Sequence, residues 1–223
     1  MTAPDATEQE LRAAIIATAR AMNDAGINRG RSGNVSARVN PGTGDGFLVT
    51  PTGMSYDAMT PEDVVAMTRD GEARGSRRPS SEWRFHCELY RTRADFRAIV
   101  HVHAPFATTL ACLNRGIPAF HYMVAVAGGD DIRCATYATF GTQQLSDRVL
   151  TAIQDRKACL MANHGMIAVG TSLDDALALA VEVEALAEQY ARALQIGQPN
   201  LLSADEMQRV LESLQTYRRQ SAP

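Results

Sequence analysis

Apolar side chains recur at three- and four-residue steps near the start of the chain, where Leu11, Ile15, Ala19 and Met22 form one stripe. The spacing predicts a helix, opened by the capping box Thr7-x-x-Glu10 and closed near Gly26. The period then changes. Beyond the glycine-rich turn Gly30-Arg31-Ser32-Gly33-Asn34, VSARV (35–39) and GFLVT (46–50) read as strands, and Asn40-Pro41-Gly42-Thr43-Gly44 between them predicts a hairpin. TPTGMSYDAMTPED (50–63) reads as loop with a short helix, and VVAMT (64–68) as a further strand. Pro79-Ser80-Ser81 opens a helix over 80–93 with a serine as N-cap. Val-rich, β-branched flanks make 98–104 a strand, and Pro105 sits at the start of the next helix, where its missing N–H is harmless. FHYMVAVA (120–127) reads as extended and 141–157 as helical, while ACLMA (158–162) and GMIAV (165–169) flank His164. Ser172, with Asp174 and Asp175, begins a long apolar helix that stops near Gly197 and Pro199, and a second capping box, Ser203-x-x-Glu206, opens a helical tail. Strands and helices in irregular alternation, with no repeat and no linker, predict one α/β domain with helices packed on a sheet.

Length and composition fit that picture. The 223 residues can bury one substantial core, and 45% apolar with 21% charged residues is ordinary globular composition. A net charge of −3 gives no reason to expect nucleic acid or an anionic membrane as partner. No apolar run approaches the roughly 18–20 residues of a membrane span. The opening MTAPDATEQELRAA lacks the basic and apolar regions of a signal peptide. Cys87, Cys112, Cys134 and Cys159 show no C-x-x-C spacing and read as reduced thiols, so a cytoplasmic protein is expected.

Three histidines alter the expectation. On a strand, side chains two apart share a face, so His101 and His103 point one way while Val100, Val102 and Ala104 point the other. His164, at the end of a second apolar segment, can bring a third imidazole. Three histidine nitrogens with an open fourth position are the donor set of a catalytic zinc. From spacing alone, an interface pair and a turn histidine account for the same residues. Glu82 carries two readings as well: a first-turn acid favoured by the helix dipole, or a carboxyl raised in pKa by apolar neighbours and used as a proton carrier. His86 reads as a packing or surface residue rather than a ligand, and His121 is open in the same way. Gly30 to Asn34, Thr52-Gly53 and Ser80-Ser81 each have anion-binding chemistry, through close backbone approach, hydroxyl donors or a helix start, and each is equally an ordinary turn. None is a P-loop or a G-x-G-x-x-G fingerprint, so nucleotide binding is unsupported.

GNVSARV, TPTGMSYDAMTPEDVV, PSSEWRFH, AIVHVHAPFATTLACLNRGIPAFHYMVAVAGGDDI, YATFGTQQLS and ANHGMIAVG, in this order, resemble the class II aldolase/adducin-head family. The likeness runs from the first helix to about Tyr217, and within the family it is greatest to members that cleave L-fuculose 1-phosphate. It implies a three-layer α/β/α sandwich around a mixed, mostly antiparallel sheet. It also implies a single domain over 1–223, with a tail from about 203 covering the active site, and a homotetramer with sites between subunits. The implied activity is that of a zinc-dependent lyase, with manganese or cobalt as alternative metals. This aldolase would reversibly cleave a ketose 1-phosphate to dihydroxyacetone phosphate and a short aldehyde such as lactaldehyde. By motif position His101, His103 and His164 become metal ligands together with Glu82, which is also the catalytic acid/base. Tyr122 becomes the residue that reaches in from the adjacent subunit to handle the proton on the aldehyde oxygen. Asn34, Thr52, Gly53, Ser80 and Ser81 correspond to a phosphate pocket, with Arg31 and Gly33 on its loop, and Phe140 and Tyr217 to the aldehyde side. Without the resemblance, Tyr122 and Phe140 read as core aromatics.

Two positions depart from the pattern. Arg31 stands where the enzyme acting on L-fuculose 1-phosphate has threonine, and Met161-Ala162-Asn163 replaces a Gln-His pair before the third histidine. A guanidinium can pair directly with phosphate or carboxylate, so Arg31 bears on both anchoring and substrate identity. The same scaffold leaves open an aldolase of 5-deoxyribulose or 5-methylthioribulose 1-phosphate and a sugar-phosphate 4-epimerase. A non-catalytic assembly module of the adducin type predicts loss of the ligands, whereas this chain retains all three histidines and Glu82.

Overall fold

A computed structural model describes residues 7–39 and 46–221, with side chains to 217; the expected Asn40–Gly44 turn lies outside the described residues. Helix α1 (Glu8–Asp24) begins at the anticipated box, where Glu10 N donates to Thr7 Oγ1 and Thr7 N donates to the Glu10 carboxylate. Strands β1 (Asn34–Arg38), β2 (Gly46–Val49) and β3 (Val65–Thr68) follow, then a two-residue strand β4 (Ala73–Arg74) that the pattern was too short to reveal. Helix α2 (Trp83–Thr92), strand β5 (Ala98–Val102), helix α3 (Pro105–Cys112) and a second short strand, β6 (Cys134–Ala135), lead to helix α4 (Gln143–Ala152). Strands β7 (Ala158–Met161) and β8 (Gly165–Gly170) and helices α5 (Leu173–Ile196) and α6 (Ala204–Ser221) complete the chain.

The strands form one sheet in the order β4-β3-β2-β1-β5-β8-β7-β6, with every pair antiparallel except β6–β7. Helices α1, α3 and α5 cover one face and α2 and α4 the other, which is the expected three-layer α/β/α sandwich. The period of two along each strand divides the apolar residues between two cores. Val35, Ala37, Val100, Val102, Leu160 and Met166 pack under α1, α3 and α5, whereas Val49, Ile99, Met161, Ile167 and Val169 pack with Phe85, Leu89 and Val149 of α2 and α4. Each fully buried Ile or Leu contributes about 1.5–3 kcal/mol of transfer free energy. Among the described residues no helix is long and apolar enough to cross a membrane.

Two local expectations are corrected. Residues 120–127 are not a strand: Tyr122–Ala127 form a 3-10 helix, begun at His121 and ended by Gly128 at φ 94°. Val124, Ala125 and Ala127 are buried, a spacing that suits a tight helical turn on the core better than an alternating strand. Helix α2 starts at Trp83 rather than Ser80, and its N-cap is Glu82, which makes no capping bond with its side chain. A bridge between Pro51 and Pro79 and the bond from Ser80 N to Thr50 O hold 79–80 extended beside the end of β2.

Candidate metal centre

The centre sits where β1, β5 and β8 run side by side. The β1–β5 register sets Asn34 opposite His101, and β5–β8 sets His101 opposite Ile167. His103 lies just past the end of β5, and His164 occupies the turn between β7 and β8, preceded by Asn163 in the left-handed region at φ 55°. Two glycines make the approach feasible. A Cβ on Gly33 would stand 2.5 Å from His101 O, and one on Gly165 would stand 2.4 Å from Val102 O and 2.9 Å from His103 Cδ2. Glu82, at the mouth of α2, reaches the same point from above the sheet.

His101, His103 and His164 each aim a ring nitrogen into one spot, all three within 4.8 Å of one another. His101 Nε2 and His103 Nε2 are 3.1 Å apart, and the Glu82 oxygens lie 3.1 Å from His101 Nε2 and 3.0 Å from His164 Nε2. In a tetrahedral zinc site with Zn–N near 2.0–2.1 Å, donors stand about 3.3 Å apart. The donor set therefore fits a divalent cation. Glu82 Oε1 is buried 3.0 Å from His164 Nε2, and when that nitrogen is bare the oxygen has no donor, a deficit that a cation would satisfy. His101 Nδ1 is 2.9 Å from Met166 O; a carbonyl only accepts, so Nδ1 carries the proton and Nε2 keeps its lone pair for a metal.

Electrostatics support the same geometry. Burial would raise the Glu82 carboxyl, but His101 and His164 outweigh it and hold Glu82 ionised, well below the usual carboxylate range. Burial would lower His101, and Glu82 overcomes that to raise it. His103 is pushed down to about 4 by burial and by the neighbouring imidazoles, so it is neutral and able to ligate near pH 7. The single buried carboxylate thus demands one compensating positive charge, a proton or a cation. The four cysteines are free thiols, and burial pushes Cys159 up to about 12.

The three anion-binding segments converge around this spot. Arg31 Nη1 donates to Gly53 O at 2.7 Å, joining the first two loops; Thr52 N donates to Arg78 O, and Ser80 Oγ accepts from Glu82 N at 3.3 Å. Asn34 Nδ2 donates to Glu82 Oε2 at 3.0 Å. Phe140 precedes Gly141, which approaches the Ser81 carbonyl so closely that a Cβ there would stand 2.7 Å from it, and Arg84 Nη1 donates to Gly141 O at 2.8 Å. Tyr122 and Tyr217 meet elsewhere, in a groove of about 390 Å³ between the 3-10 helix and α6. Exposures of 51% for Tyr122 and 64% for Phe140 correct the reading of those two as core aromatics, and Tyr217 is 68% exposed.

Sequence reasoning took His86 for a packing or surface residue, of which burial bears out the first, and passed over Ser36 and Tyr90. His86 is fully buried, with its rings and neighbours in Phe85, Ser36 and Asn34, and burial pushes it down to about 3. A signal was available: Glu82, His86 and Tyr90 fall four apart on one helix face, and Asn34 and Ser36 two apart on one strand face.

Comparison with known proteins points the same way. The family described as Class II Aldolase and Adducin N-terminal domain matches residues 13–191. A 5-methylthioribulose-1-phosphate/5-deoxyribulose-1-phosphate aldolase of Rhodospirillum rubrum is 56% identical over 207 residues, 93% of this chain and 92% of its own. An L-fuculose phosphate aldolase of Escherichia coli is 47% identical over 204 residues, 91% of this chain and 93% of its own. Among solved structures, an L-fuculose 1-phosphate aldolase superposes with a TM-score of 0.88 at 36% identity, covering 92% of this chain and 96% of that one.

Proposed function

The chain belongs to the class II aldolase family, whose members are metal-dependent lyases, and on that premise we propose that it cleaves a ketose 1-phosphate reversibly to dihydroxyacetone phosphate and a short aldehyde. The observation that carries this reading is the convergence of three ring nitrogens and the Glu82 carboxylate on one point. Under this reading His101, His103 and His164 hold the cation, zinc by the chemistry of an all-imidazole set, and Glu82 shares in holding it when substrate is absent. Once bound, the metal supplies Lewis-acid stabilisation of the charge left on the ketone fragment as the carbon–carbon bond parts.

The chain's own groups do the rest. Asn34, Thr52, Gly53, Ser80 and Ser81 bind the phosphate, with Arg31 bracing the Gly53 turn and adding positive charge. In the synthetic direction the ionised Glu82 removes a proton from C3 of dihydroxyacetone phosphate, the electron pair left on C3 forms the bond to the aldehyde carbon, and the aldehyde oxygen takes the hydroxyl proton of Tyr122. The proton on Glu82 then passes to solvent and Tyr122 regains one from it. Cleavage is the same sequence reversed: Tyr122, its own proton given to solvent, takes that of the C4 hydroxyl, the C3–C4 electron pair stays on C3 as the aldehyde departs, and Glu82, protonated from solvent, delivers a proton to C3. Tyr122 serves the site of a neighbouring copy in a homotetramer, a role consistent with its exposure in the single chain. Phe140 and the tail bearing Tyr217 line the aldehyde end.

Three aldehyde ends compete. L-fuculose 1-phosphate fits the resemblance at 47% identity, while 56% identity to the Rhodospirillum rubrum protein favours a 5-deoxy- or 5-methylthio-ribulose 1-phosphate. Incubating the protein with all three, with dihydroxyacetone phosphate detected by a coupled reaction, separates them. Release from at least one of these, abolished by a chelator and restored by zinc, is expected. Full-speed turnover by metal-stripped protein would overturn the reading, and an isomeric sugar phosphate without triose phosphate would indicate the epimerase.

A further inference from the structure

Behind Glu82 the face of the sheet toward α2 carries an unbroken line of buried polar side chains, of which the mechanism above uses Asn34 alone. Tyr90 Oη is 2.9 Å from Ser36 Oγ, Ser36 Oγ is 2.7 Å from His86 Nδ1, His86 Nε2 is 2.5 Å from Asn34 Oδ1, and Asn34 Nδ2 is 3.0 Å from Glu82 Oε2. One premise orders every proton in it. An ionised carboxylate can only accept, so Asn34 must present its NH₂ to Glu82 and its carbonyl oxygen to His86. That oxygen can only accept, so His86 Nε2 carries the ring proton. A neutral imidazole then has a bare Nδ1, which accepts from the Ser36 hydroxyl, and Ser36 accepts in turn from Tyr90. Full burial, which keeps His86 uncharged, is consistent with this order. Each group accepts from behind and donates ahead, the arrangement in which neighbouring hydrogen bonds polarise and strengthen one another.

We propose that His86 is a positioning residue for the reaction: by donating from Nε2 it fixes the Asn34 amide so that one N–H holds the Glu82 carboxylate and the second remains for the substrate's phosphate. Phosphate binding and the placement of the proton carrier are then set by one side chain. Without the His86 donor the amide is free to turn over, presenting an oxygen to both the carboxylate and the phosphate. The proposal rests on the reading of Glu82 as the proton carrier and of Asn34 as a phosphate ligand.

The test has two arms. In resting protein labelled with ¹⁵N in the histidine rings, long-range proton–nitrogen correlation should show His86 as the neutral Nε2–H tautomer from pH 6 to 8, and a Nδ1–H tautomer or a charged ring overturns the proposal. This arm uses no substrate and stands even if the aldolase assay fails. In the second arm, His86→Phe removes the donor and His86→Gln restores one. His86→Phe should slow exchange of the dihydroxyacetone phosphate proton with solvent at least tenfold and weaken inhibition by inorganic phosphate, with bound metal unchanged. His86→Gln should recover most of both. Equal losses in the two variants, or a loss confined to metal content, overturn the proposal. If His86→Phe does not fold, Ser36→Ala takes its place, since it leaves the ring but removes the hydroxyl that holds its tautomer; an unchanged tautomer and unchanged exchange rate in that variant count against it.

Discussion

At the scale of single residues, Glu82 is held by Asn34, His101 and His164, and its substitution should separate binding from chemistry. Glu82→Gln keeps the volume and the bond to Asn34, so metal content should stay near that of the parent. Exchange of the dihydroxyacetone phosphate proton should fall about 10²–10⁴-fold; unchanged exchange would remove Glu82 from its role. Gly165→Ala acts through contact alone. Its Cβ meets the Val102 carbonyl and the His103 ring, and overpacking of this kind costs about 1–3 kcal/mol. A lower Tm together with weaker zinc uptake is expected from calorimetry and metal analysis. The pairing of His101 and His103 in one cluster was legible because His-x-His on a strand is a local pattern. The Ser36–His86–Asn34 line was not, since whether a buried polar residue finds a partner depends on which strand lies opposite, as β1 does to α2 here.

Among the elements, α3 follows directly from the metal-binding strand, and what steadies its start matters to His103. Phe106 N and Ala107 N both donate to the Glu184 carboxylate of α5, each at 2.8 Å. Glu184→Ala leaves two helix N–H groups without that acceptor and should cost about 0.5–2 kcal/mol, the range for a lost cap, in urea unfolding. Burial raises the Glu184 pKa against the pull of those two bonds. The folded chain therefore keeps a proton that the unfolded chain has released, and stability contributed here falls as pH rises past the ordinary carboxylate range. The stability margin of the parent over Glu184→Gln should be larger at pH 4 than at pH 7; the reverse order would contradict the shift. The element pattern itself was largely readable, because α1 and α5 each bury a regular stripe and β5 is a β-branched run buried on both faces. It failed at 120–127, where Phe, Tyr and Val favour a strand but no sheet edge is on offer, and propensity for strands expresses packing on a pleated surface rather than a backbone preference. It missed β4 and β6 because two residues hold no period.

On the scale of the whole molecule, the exposure of Tyr122 and Phe140 makes a second copy part of the chemistry under the proposed mechanism. Glu82→Gln and Tyr122→Phe proteins, each inactive alone, should regain activity when their subunits are mixed and reassembled, because some sites then combine an intact Glu82 with an intact Tyr122. Absence of recovery in verified hybrids would place both groups in one chain's site. The sheet order has a further outcome. His101 lies on β5 and His103 just past its end, while His164 comes from the turn between β7 and β8, so the three histidines straddle the β5–β8 seam, one strand away from the middle of the sheet. A cation bound there would act as a rivet between two stretches of polypeptide that are otherwise joined by backbone bonds, packing and the His101–Met166 bond. Free metal at about a hundred times its Kd adds roughly 2.7 kcal/mol to folding. Stripping it should lower Tm and speed hydrogen exchange first in the amides of β8, so that scarcity of metal is felt as fragility of the scaffold as well as idleness of the catalyst.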